Sequence, residues 1–123
     1  VTNMRQMFSG TDFNQDIGNW DVSNVTDMGA MFDNCPFNQD IGSWDVSNVS
    51  DMMFMFAQSP FNQDIGSWDV SNVNEMGYMF YDASNFNQDL TQWCVGNFSS
   101  MPTDFSTNSA LTASNHPVLG TCP

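Results

Sequence analysis

The chain has 123 residues, with 14 acidic side chains against a single basic one, Arg5, and a formal net charge of −13. Nucleic acid and anionic membrane surfaces both repel such a chain, and no apolar run approaches the roughly 18 residues of a membrane span, so neither partner nor membrane insertion is expected. Aromatic residues make up 14% of the chain and recur in register, which sets disorder aside.

Taken from its start, the chain repeats itself. Val1 aligns with Val25, Val49 and Val73, so the sequence opens in mid-repeat and reads as a piece of a longer protein. Residues 1–12 form a partial coil. Phe-Asn-Gln-Asp then opens coil 1 (13–36) at Phe13, coil 2 (37–60) at Phe37, coil 3 (61–85) at Phe61 and a degenerate coil 4 (86–105) at Phe86. Trp20, Trp44, Trp68 and Trp93 keep the same beat, as do Met4, Met28, Met52, Met76 and Met101. After Phe105 the pattern stops, and residues 106–123 are expected to be an irregular C-terminal cap. A period of this length marks a structure whose repeats bury apolar residues only by stacking.

Within coil 1 the spacing of Ile17, Trp20 and Val22 predicts a short strand. From Val25 through Met28 to Met31 and Phe32 the spacing becomes three, three, one, which predicts one or two helical turns ended near Pro36. Strand, turn and short helix in about 24 residues describe an α/β repeat solenoid of right-handed, leucine-rich-repeat-like coils.

The run from Trp20 to Cys35, Trp-Asp-Val-Ser-Asn-Val-Thr-Asp-Met-Gly-Ala-Met-Phe-Asp-Asn-Cys, resembles the repeat of BspA-like leucine-rich-repeat bacterial surface proteins. More closely it resembles the surface-protein repeat also found in mycoplasma lipoproteins. The likeness covers residues 1 to about 98. It implies an extracellular or cell-surface protein used in adhesion or host binding, with no shared catalytic residues, and the cysteine-bearing tail resembles the cap of such arrays.

The repeated columns carry the candidate chemistry. Asn14, Asn38, Asn62 and Asn87 are expected to stack, each amide serving buried turn backbone. Gln15, Gln39 and Gln63 are candidate ligand contacts, with Trp20, Trp44 and Trp68; the indoles either fill the interior or form a partly exposed ladder. Asp16, Asp40 and Asp64, and Asp21, Asp45 and Asp69, are expected to cap turns by accepting backbone N–H bonds, with calcium binding as the alternative because carboxylates suit a hard ion. No other cofactor is implied.

Cys94 and Cys122 both fall in the irregular end, and a disulfide between them would tie the tail over the last coil. Such a bond implies an oxidising compartment. Cys35 is expected to stay unpaired. The columns offer amides and acids but no convergent acid, base and nucleophile, so an enzyme is not expected. The expected function is recognition of an extracellular protein or glycan by a repetitive face. The alternatives are a calcium-stabilised rod or the stalk-capping end of a longer surface protein. An apolar N-terminal face should meet upstream coils or a partner chain.

Overall fold

The computed structural model describes all of residues 1–123. It confirms the stacking and overturns the expected secondary structure. There is no α-helix, strand or sheet, so the molecule is not an α/β solenoid. The one helical segment is a 3-10 turn, Ala113–Asn115, and parallel pairing is limited to the bridges Asn3–Asp27, Asp27–Asp51 and Asp51–Glu75.

Each full coil is instead a chain of tight turns. In coil 1 the N–H groups of Trp20, Val25, Met31 and Asp33 donate to the carbonyls of Ile17, Val22, Met28 and Ala30, and coils 2 and 3 repeat the set. A turn closed over three residues places apolar side chains three apart. That is the spacing that imitates a helix between Val25 and Phe32. The helix cannot form, because Ala30 and Asn34 adopt left-handed backbone (φ 54° and 53°) and reverse the chain. The predicted strand at Ile17–Val22 is replaced by a turn whose Gly18 N–H is taken by the Asp16 carboxylate at 2.9 Å.

Successive coils are joined by backbone bonds. Met4, Gln6, Phe8 and Gly10 donate to the carbonyls of Asp27, Gly29, Met31 and Asp33. Met28, Ala30, Phe32 and Asn34 repeat this toward coil 2, and Met52, Phe54, Phe56 and Gln58 toward coil 3. Inside, a cluster of 31 buried residues runs along the stack. Two phenylalanine columns lie face to face, with Phe32–Phe37 and Phe56–Phe61 at 4.1 Å between centroids. Along the stack, Phe32–Phe56 and Phe56–Phe80 follow at 5.8 and 5.7 Å.

Two features depart from the register read in the sequence. Between Phe98 and Pro102 the chain carries one extra residue, so Pro102 takes the place of Met28, Met52 and Met76, and its carbonyl accepts from Phe105 N–H as theirs do from the next methionine. Met101 therefore leaves the methionine column and is 39% exposed. Phe105 meets Phe80 edge-on at 85° instead of stacking. The tail also continues the stack beyond the faded pattern. Leu111 is buried in line with Phe86, Leu90 N–H donates to Asn115 O, and Val95 N–H donates to Thr121 O. Cys94 and Cys122 are disulfide-bonded, with Cα atoms 4.0 Å apart.

Candidate functional site

The asparagine column forms a ladder along one side of the stack. The Asn14 Oδ1 accepts the Asn38 N–H at 2.9 Å and the Gln39 Nε2 at 3.1 Å. Asn38 serves Asn62 and Gln63 in the same way, and Asn62 serves Asn87 and Gln88. Asn87 ends the ladder by accepting from Thr112 N–H and Asn115 Nδ2. Each amide is thereby held in one orientation on an exposed surface. Of the candidate glutamines, Gln39 and Gln63 are half-buried and bound into the ladder, while Gln15 is exposed and free of it.

The tryptophans divide. Trp44 and Trp68 are only 4% and 3% exposed and Trp93 is fully buried. Their indole N–H groups donate to the carbonyls of Ile17, Ile41 and Ile65 at 2.9 to 3.1 Å. Trp44 and Trp68 are therefore core residues and not ligand contacts, because the adjoining coil covers them. Trp20, at the N-terminal face, is 36% exposed and lines an apolar hollow with Val1, Met4 and Met7.

The carboxylate columns serve the turns. Asp16, Asp40 and Asp64 each accept the N–H of the glycine two residues on, at 2.9 Å. Asp21, Asp45 and Asp69 each accept both the N–H and the hydroxyl of the serine two residues on. The serine hydroxyl, then the serine N–H, hold the carboxyls of Asp21 and Asp45 below the ordinary range, and Thr91 does the same for Asp89. No group of three or more acidic, histidine or cysteine side chains is placed to hold a metal ion, so the calcium alternative for these columns finds no site. Their oxygens are committed singly, one carboxylate per turn, and a hard cation needs several converging on one point.

A third acidic column behaves differently. Asp27 and Asp51 accept the N–H of Gly29 and Met53, and Arg5 spans both, with Nη1 3.1 Å from Asp51 Oδ2 and 3.5 Å from Asp27 Oδ1. Gly29 leaves room for the guanidinium, since a Cβ there would collide with Nη1. Glu75, next in line, is exposed and makes no hydrogen bond through its side chain.

Beside Glu75 the stack opens. Met76 is the first residue of its column whose N–H donates to no carbonyl, and Gly77 N–H lacks the carboxylate that serves Gly29 and Met53. The resulting groove between coils 3 and 4 has a volume of about 380 Å³ and is lined by Met53, Met76, Tyr78, Phe98, Met101 and Glu75 among others. Tyr78 stacks on Phe54 at 4.7 Å and 3°, and both rings stand on left-handed backbone, φ 57° and 60°. Bulky residues adopt that conformation at a cost on the order of 1–3 kcal/mol. The Asp104 carboxylate, by hydrogen bonding and then by its charge, raises the Tyr78 hydroxyl above its ordinary pKa.

The profile of the family described as Mycoplasma protein of unknown function, DUF285, matches residues 2–116. The chain belongs to this family. No curated protein matches it, and no solved structure does. The match reaches past the last clear repeat into the tail, in keeping with the continued stacking of residues 106–121. No helix of this DUF285 chain is long and apolar enough to cross a membrane. Its one free cysteine, Cys35, is buried, with Sγ 3.2 Å from the Phe13 carbonyl. Sequence reasoning overlooked the groove of this family member. Its signal was the break in column identity, with Glu75 for aspartate, Tyr78 where coil 1 has Ala30, and the extra residue before Pro102.

Proposed function

We propose that this DUF285 chain is a non-enzymatic recognition module of a secreted or surface-displayed protein, binding an extracellular protein or glycan through its repeated polar face. The observation that carries the reading is the amide ladder. Identical side chains at Asn14, Asn38, Asn62 and Asn87 are exposed, oriented by bonds from the next coil, and repeated at coil spacing. Such a surface is preorganised and suits many weak, regularly spaced contacts. The Cys94–Cys122 disulfide favours an oxidising, extracellular location. The likeness of Trp20–Cys35 to BspA-like surface repeats points the same way. The apolar hollow at Val1, Met4, Met7 and Trp20 fits a joint to further coils or to a partner chain.

The test is a glycan and matrix-protein array probed with the wild type and with a Gln15→Ala, Gln39→Ala, Gln63→Ala triple variant. Wild-type binding that the triple variant loses, with no more than the small fall in melting temperature due to the ladder bonds of Gln39 and Gln63, is the expected result. An array without a single hit, or hits indifferent to the glutamines, overturns the role of this face.

A further inference from the structure

We propose that the groove between coils 3 and 4 binds an extended peptide segment of a partner protein, giving the Met76 N–H to one of its carbonyls and seating one basic side chain between Glu75 and Tyr78; the proposal rests on the recognition reading above. The first ground is an unused backbone donor. In coils 0, 1 and 2, Met4, Met28 and Met52 donate across to the next coil, whereas Met76 has no such acceptor and Gly77 no carboxylate. A carbonyl of an extended segment can take the Met76 N–H, as the carbonyls of Asp27, Asp51 and Glu75 take those of Met4, Met28 and Met52; the Gly77 N–H, whose counterparts at Gly29 and Met53 turn back to their own coil, is not part of that pairing.

The second ground is the lining. Phe98 is apolar and half-buried, Met101 is turned out of the core by the register slip, and Tyr78 offers an aromatic ring. The turn itself does not require that ring, since Ala30 fills the equivalent place in coil 1 on the same left-handed backbone.

Charge selects among segments. Glu75 is unpaired, Asp104 lies beside the Tyr78 hydroxyl, and the chain's sole guanidinium is engaged by Asp27 and Asp51. A cation over the tyrosine ring gains from its quadrupole and from Glu75 together. An acidic segment is repelled by a protein of net charge −13. A neutral sugar could use the ring but would leave Glu75 unanswered.

The experiment is fluorescence anisotropy with a labelled heptapeptide of serine and valine around one central arginine, beside versions with glutamine or glutamate at the centre. Tyr78→Ala and Glu75→Gln should each weaken the arginine peptide by about tenfold. Asp16→Asn, which removes the same charge outside the groove, should leave it within about twofold. Equal losses for Glu75→Gln and Asp16→Asn, or no loss for Tyr78→Ala, overturn the proposal. In amide spectra the peptide should shift the Met76 and Gly77 resonances, and shifts confined elsewhere count against it. Array hits that survive Tyr78→Ala together with no peptide binding would remove the groove and leave the recognition reading standing. Peptide binding without array hits would do the reverse.

Discussion

At the scale of single residues, most carboxylates in this chain are structural acceptors, and their titration carries a definite sign. Asp21, Asp45 and Asp89 have folded values below the ordinary one. Their contribution to stability is therefore present above the unfolded value near about 4 and is lost as pH falls through the lower folded value. Asp33 runs the other way. Burial raises it, and its Oδ1 is buried without a partner. Its charged form is unfavourable at neutral pH and the penalty fades on protonation. Asp33→Ala, which copies Ala57 of the next coil, should raise the melting temperature at about pH 7, with the gain shrinking toward about pH 3; a lowered melting temperature at neutral pH would refute this. The indoles give a second check. Trp44, Trp68 and Trp93 are covered and Trp20 is not, so Trp20→Phe should remove most of the acrylamide-quenchable emission. Quenching that persists undiminished would mean the other three indoles are accessible.

At the scale of the coil, glycine sets how closely neighbours approach. A Cβ on Gly42 would lie 2.7 Å from the Asp64 carbonyl oxygen, while one on Gly96 would meet nothing closer than 3.9 Å. Gly42→Ala should cost about 1–3 kcal/mol and Gly96→Ala far less, read from denaturant melts; equal costs would contradict the close approach at Gly42. The repeated columns of the first three coils and the cysteine pair were legible in the sequence, because a repeated Phe-Asn-Gln-Asp and a single tryptophan per repeat leave little choice of register. The internal build of the coil was not. Turns closed over three residues space Val25, Met28 and Met31 as a helix would, and nothing in the residue types announces left-handed backbone at Ala30, Phe54 and Tyr78. The slip in coil 4 was hidden because Met101 matches the column by type while Pro102 occupies the place. The groove at Glu75 and Tyr78 escaped for the same reason. It lies where the repeat is broken, and column reasoning weights what recurs.

At the scale of the molecule, stability is shared among interfaces between neighbouring coils, with no separate core for each. The tail belongs to this arrangement. The bond between Cys94 and Cys122, which lie 28 residues apart in sequence, ties it to the last coil. Cys122→Ser should lower stability by about 3 kcal/mol, with the loss concentrated in residues 106–121; an unchanged melting temperature would show that packing of Leu111 and its neighbours suffices. The interfaces are also unequal. Coils 1 and 2, and coils 2 and 3, share backbone bonds from Thr26 and Ser50 onward, but coils 3 and 4 begin sharing them only at Tyr78. Thermal opening should therefore start at that seam and divide the protein into two cooperative units, one of residues 1–85 and one closed on itself by its cystine. Hydrogen–deuterium exchange would show this as two protection classes meeting near residue 85, whereas a single uniform class would mean that the thin joint transmits cooperativity as well as the full ones.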